Sequence, residues 1–417
     1  MKKTIIIFFA IFILLNVVSC KKDEAVSVWS FNNELEGLIN NFYLKENPDF
    51  KFNYSITPFD QFTSALDPVL ASGRGTPDVF ALDAGFVRRY VESGLLLDLT
   101  HIYEKNKNKL LAYPIEIVTL NDRVYALSLN ISPGAVIYRR SLAEKYIGTD
   151  NPSVVQAYFA DINLFMQTAA LLKERSNGAC VITANLDDLF NVFLSVRENP
   201  WVVSGSLIID PVMEEYMEIS KTIYENRYDA RAGYLSNEWF AAMNDSLFYE
   251  NGNKMEVFSF FIPSHFLHDA FITGASVNSG DWAVIPGPSS YHRGGTWIGA
   301  WKDTSNPEAV KDLIEYLTCN DSFLESYALN SGVLTGSISV GNKIASTFSE
   351  PFLGGQNHYT EFFEIAKNIN GTLMLGADQI INELFIEQVT SYVLGEKTKE
   401  QALADFRQNV NTQFSFD

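Results

Sequence analysis

The stretch "AVSVWSFNNELEGLINNFYLKENPDFKFNYSI", residues 25–56, alternates apolar and polar side chains, changes period, then alternates again. Its first seven residues are β-rich with period two and predict a strand. The next segment places Leu35, Leu38, Ile39 and Phe42 on one helical face. Asn33 and Glu36 stand there as a cap and its third-residue partner, and Pro48 closes the segment. "FKFNYSI" (50–56) predicts a second strand. Further on, "FDQFTSALDPVLASG" predicts a helix broken at Pro68, and "DVFAL" (78–82) a third strand. Strand, helix, strand, helix, strand in this order implies a parallel sheet covered on both faces, hence an α/β fold.

The pattern continues through "GFVRRYVESGLLLDLT", a helix ended by Gly94, and the strand segment "RVYALSLN" (123–130). From about 131 to 280 longer helices dominate, as in "VVQAYFADINLFMQTAALLKERS" and "DPVMEEYMEISKTIYE". "WAVIPG" (282–287) and "GGTWIGAW" (294–301) return to strand. Asn306 and Pro307 then open a helix whose Val310, Leu313, Ile314 and Leu317 share a face. The last helix starts at a Thr398/Gln401 capping box. No internal repeat or low-complexity linker is present, and the chain is expected to weave between two lobes.

Upstream of the first strand, Lys2 and Lys3 precede the apolar run "TIIIFFAIFILLNVVS". This is the layout of a secretory signal, residues 1–19, and "VVSC" resembles a bacterial lipoprotein signal with Cys20 acylated. Residues 20–25 then form a short lipidated tether. An uncleaved anchor helix is the alternative, and both readings put the folded part outside the cytoplasm, bound to a bacterial membrane. The 417 residues suffice for two or three cores, and 47% hydrophobic with 19% charged residues is a globular composition. A formal charge of −19 repels phosphate backbones and anionic lipid, which excludes nucleic-acid binding and leaves membrane attachment to acyl chains. Cys180 and Cys319 are expected as two buried thiols, not as a disulfide.

Three stretches, "SGRGTPDVFALDAGFVRRYVESGLLLDLT" (72–100), "RVYALSLNISPGAVIYRRSLAEKYIGTDNP" (123–152) and "GGTWIGAWKDTSNPEAVKDLIEYLT" (294–318), carry a resemblance in their order and spacing. The chain resembles the extracellular solute-binding lipoproteins of carbohydrate ABC transporters, the group related to maltose-binding protein. That resemblance implies a two-lobed, class II periplasmic-binding-protein-like fold with two α/β lobes joined by a multi-segment hinge. The N-terminal lobe is then 26–130 with 284–322 and the C-terminal lobe 131–283 with 323–417, crossing near Asn130, Asp281–Gly287 and Asn320. It also implies a monomer with a mono- or oligosaccharide in the interlobe cleft and ABC permease subunits as partners.

Reactive constellations are missing from the sequence: there is no G-x-S-x-G elbow, no P-loop and no G-x-G-x-x-G after a strand. Histidines stand at 101, 265, 268, 292 and 358, and His265 and His268 with Asp269 lack a third ligand, so no metal site is assigned. Paired acids such as Asp187 and Asp188 read as solvated helix faces. No enzyme activity and no cofactor are expected. Aromatic residues make up 13% of the chain, and flat rings cover the C–H faces of sugars while polar side chains meet the hydroxyls.

Ligands of open parallel sheets sit beyond the carboxyl ends of the strands. By that rule Trp29 and Phe31, ending the first strand, and Asp83, ending the third, are ligand-binding candidates, with capping as the other role for Asp83. Asn130 ends its strand at the hinge, to bond ligand or to brace the crossover. Gly295, Thr296 and Trp297 belong to the "GGTW" segment that faces the cleft in the resemblance, and Trp201 and Phe261 would come from the second lobe. Trp239, Trp282 and Trp301 are assigned to the core. The other readings are a binder of a peptide, polyamine or metal ion, and a surface lipoprotein that recognises a protein partner.

Overall fold

The structure, a computed structural model, describes residues 25–275 and 278–414, so the signal segment and Cys20 lie outside the described residues. Eight strands build the main sheet: β1 (Val26–Ser30), β2 (Phe52–Ile56), β3 (Val79–Asp83), β4 (Ala126–Arg139), β5 (Cys180–Thr183), β6 (Glu256–Pro263), β7 (Trp282–Ile285) and β8 (Tyr291–Ala300). Their order is β2-β1-β3-β8-β4-β6-β5, with β7 also on β4. β1, β2 and β3 run parallel, as the opening stretch implies. In the other half β5 and β6 run parallel, and β6 pairs antiparallel with β4.

Two strands belong to both halves. β4 is 14 residues long; Ala126–Ile131 pairs with β8, and Gly134–Tyr138 pairs with β6. β8 pairs through Thr296–Ala300 with β3, whereas Tyr291 and His292 lie against Gly134 and Pro133 of β4. Between them the register slips at His292/Gly295 and again at Thr296/Trp297, next to Gly294 and Gly295 with φ of 90° and 108°. Such positive φ is cheap only for glycine, so the pair lets β8 change direction where the halves meet. β7, which sequence grouped partly with the N-terminal lobe from residue 284, pairs with Val136–Arg139 on the other half.

The buried side chains form two clusters. One packs Val28, Phe62, Phe80, Ile298 and Leu313 around the first half and extends onto one face of the second through Trp239, Phe260 and Trp282. The other packs Tyr138, Phe165, Phe258, Phe385 and Phe406 on the opposite face of the second half. Local details depart from expectation for identifiable reasons. The helix Phe59–Ser72 continues through Pro68, whose ring is exposed, so the carbonyl it leaves unbonded can face water. The first helix carries a π segment, Ile39–Tyr43, between α-helical turns Glu34–Leu38 and Leu44–Glu46. Cys180 and Cys319 are both free and buried.

Candidate functional site

The carboxyl end of β3 in one half and the helix that follows β5 in the other face one hollow. β3 ends at Asp83, and Asp83, Ala84 and Gly85 line one side of a cavity of about 550 Å³. β5 ends at Thr183 and leads into the helix Phe190–Ser195, whose Asn191, Leu194 and Ser195 line the other side with Arg197. The start of β8, Tyr291 to Gly294, forms the wall between them. The helix Asp378–Val393 adds Asp378, Asn382 and Glu383, and the segment before it adds Asn370 and Met374. A concave cavity of this size with polar and charged groups converging on it is the form of a small-ligand site.

Each wall holds a charged group in a fixed setting. Asp83 Oδ1 accepts from the Gly85 N–H at 2.8 Å, a tight turn and not the cap of the next helix, which begins at Val87. Burial raises its carboxyl to about 6 against the backbone N–H groups of Gly85 and Ala84. Arg293 lies 3.8 Å over the Tyr234 ring, and Tyr234 stacks on Phe266 with centroids 5.1 Å apart. Its guanidinium is 3.6 Å from Asp188. Asp188, read from sequence as solvated, is 2% exposed because β5 delivers it into the interior beside Arg293. His292 is half-buried with its ring stacked on Tyr113, and desolvation lowers its imidazole to about 4.

Burial holds the Asp188 carboxyl up at about 7, with Arg293 pulling the other way. The folded chain therefore keeps a proton between about pH 4 and 7 that the unfolded chain has lost, and this contribution to stability falls as pH rises through that window. Relative to wild type, Asp188→Asn is expected to gain stability from pH 4.5 to pH 7.5, seen as a difference in melting temperature that grows with pH. A pH-independent difference would contradict this placement of Asp188.

Of the residues nominated from sequence, Asp83 lines the cavity. Asn130 is at the junction but braces it. Its Oδ1 accepts from the Thr296 N–H at 2.9 Å, and its Nδ2 donates to Tyr327 Oη at 3.0 Å, which in turn donates to Glu34. Thr296 serves that brace through its backbone, and a side chain at Gly295 would come 3.3 Å from the Asn130 carbonyl oxygen. Trp29 and Phe31 are half-buried and pack against the first core, Phe31 edge-on to Phe59 and Phe62.

Three nominations are corrected. Trp297 is fully buried and its Nε1 donates to the Pro114 carbonyl at 2.9 Å, because it sits in mid-strand opposite Leu82 and Ser128. Trp201 is fully buried between Phe385 and Phe406. Phe261 is 1% exposed and edge-on to Phe165 in the second core. Sequence reasoning missed Arg197, Arg293, Asp378 and Asn382. Asp378 follows "NGTLMLGA", which reads as turns, and only its position at a helix start hinted at more.

Residues 29–165 match the family model described as bacterial extracellular solute-binding protein. An arabinooligosaccharide-binding protein of Bacillus subtilis (strain 168) is 24% identical over 35% of this chain, and the match spans 37% of that relative's length. A solved extracellular solute-binding protein of family 1 superposes with a TM-score of 0.81 at 16% identity, covering 93% of this chain and 99% of the other. The ABC transporter associated binding protein of B. animalis subsp. lactis Bl-04, solved with β-1,6-galactobiose, gives 0.69 at 16% identity over 94% and 97%. The fold is thus similar to that of solved solute-binding proteins across nearly the whole chain, and the sequence match to the family model covers residues 29–165.

Proposed function

We propose that this solute-binding fold captures a carbohydrate in the cleft between its lobes and delivers it to the membrane permease subunits of an ABC importer. One observation carries the reading: a cavity of about 550 Å³ lined by the end of β3 in one half, by the helix after β5 in the other and by the start of β8, which joins them. The lobes follow the expected bounds, 26–130 with 284–322 and 131–283 with 323–417, except that β7 goes wholly with the second, and the junction around Asn130 and Gly294–Gly295 acts as hinge. A ligand touching both halves binds the closed form better than the open one, and only that difference in affinity shifts the equilibrium towards closure.

The lining suits an uncharged polyhydroxylated guest. Asp83, Asp378 and Glu383 accept from hydroxyls, and Arg197, Arg293 and Asn382 donate to them, so three acids and two arginines share the wall. What the similar proteins are named for, arabinooligosaccharide and β-1,6-galactobiose, supports the same ligand class. The chain works as a monomer without cofactor and without turning its ligand over, outside the cytoplasm, held to the membrane by acyl chains on Cys20. A Cys20→Ser chain still found in the membrane fraction would contradict that anchor.

Thermal melts with α-1,5-arabinotriose, maltose and β-1,6-galactobiose test the function. A sugar present at about 100 times its Kd stabilises the native state by about 2.7 kcal/mol and raises the melting temperature by several degrees. No shift with any sugar, alongside a shift with a polyamine or a peptide, would assign the cleft to a non-sugar solute.

A further inference from the structure

The strand-end edge of the first lobe continues past the cavity. β1 lies between β2 and β3, with Ser30 level with Ile56 and Trp29 level with Phe80. The chain leaving β1 at Phe31 and Asn32 therefore comes out beside the end of β3, where Asp83 lines the cavity. Three apolar side chains reach the surface together along this edge. Phe59, which opens the helix Phe59–Ser72, is 53% exposed, Ile56 at the end of β2 is 52% exposed, and Phe31 is half-buried. A cluster of large apolar side chains left open at the rim of a cleft marks a contact surface.

The Phe59 ring is held in place from behind. Phe31 meets it edge-on with centroids 5.4 Å apart, and Phe86 lies against it at 5.9 Å. Phe62 backs both of these, 5.5 Å from Phe31 and 6.1 Å from Phe86. Phe86 directly follows Gly85 of the cavity wall, so the braced ring and the cavity share one turn of chain. Next to Phe31 stand two exposed amides. Asn32 Oδ1 accepts from the Glu34 N–H at 3.1 Å, which leaves Nδ2 as an outward donor, and the Asn33 side chain makes no cap bond to the helix behind it.

We propose that Phe59 is the platform of an outer subsite, on which a later ring of an oligosaccharide stacks while an earlier ring fills the cavity. The exposed ring covers the C–H face of that sugar, and the amides of Asn32 and Asn33 meet its hydroxyls. Three side chains fall far short of the about 800 Å² per partner that a stable protein interface covers, but they match the face of one sugar ring. The captured solute is then an oligosaccharide and not a single sugar. This assignment rests on the carbohydrate reading above.

Calorimetric titration of the wild-type chain, Phe59→Ala and Phe59→Trp tests it, with α-1,5-arabino-, malto- and β-1,6-galacto-oligosaccharides of two to five units. In the best-bound series wild type should gain about fivefold or more in affinity at one lengthening step, from the ring added on Phe59. Phe59→Ala should cut that gain to under about twofold, and Phe59→Trp should keep it. Each chain is compared with itself across lengths, so a uniform loss from altered closure cancels. Exposed positions tolerate substitution, which keeps both variants folded. An equal gain in wild type and Phe59→Ala, or no gain at any length in wild type, would overturn the outer subsite while leaving carbohydrate capture standing. No binding of any sugar to wild type would remove both.

Discussion

Trp297→Ala is expected to lower the stability of the folded chain by about 3–5 kcal/mol, the range for deleting a buried tryptophan ring. The ring has no exposed surface, and its removal opens a cavity between β8, β3 and the helix Ala112–Val118, which carries Pro114. It also leaves the Pro114 carbonyl without the indole N–H that bonds it at 2.9 Å. Urea unfolding of the variant measures this directly. Unfolding within about 1 kcal/mol of wild type, together with lost sugar affinity, would instead make the ring a ligand platform.

The second large effect lies at the junction of the halves. A Cβ on Gly134 would stand 1.9 Å from Tyr291 Cε2 and 2.1 Å from its Cζ, so Gly134→Ala cannot be accommodated without moving the ring. Tyr291 is 2% exposed and packed in the second core, which denies it free space to swing into. The expected cost is about 3 kcal/mol, at the upper end for overpacking. Because Tyr291 also lines the cavity, sugar affinity should fall as well. Pairing Gly134→Ala with Tyr291→Val makes room, and the two changes should couple by about 1–2 kcal/mol in a double-mutant cycle. Strict additivity would mean that the contact is not the source of the cost.

These two sites also mark how far sequence could lead. The alternation in "AVSVWSF" and "FKFNYSI" reports a sheet with parallel β1, β2 and β3, because period and helix spacing are local properties. The rule that ligands gather at carboxyl strand ends placed Asp83 in the lining. Trp297, nominated through the resemblance, lies elsewhere because β8 runs antiparallel to β3, which puts the tryptophan in mid-strand under a helix. Nothing in "GGTWIGAW" states that direction. Trp201 is covered by Phe385 and Phe406, which arrive from the last two helices, and Asp378 comes from the first of these. Arg197 and Asp378 have no shared pattern in the chain; only the weave between lobes brings them within 3.6 Å. Asn130, expected to end its strand, lies inside β4, and both ends of its amide are spent on Thr296 and Tyr327, a role that residue type alone does not disclose.

The central claim is that the two halves of the sheet turn about β4 and β8 and shut on a carbohydrate. Small-angle scattering of the chain before and after saturation with the best-bound sugar tests it most directly. The account predicts a smaller radius of gyration at saturation, reversed when the sugar is dialysed away. An unchanged scattering profile at a sugar concentration that calorimetry shows to be saturating would contradict it.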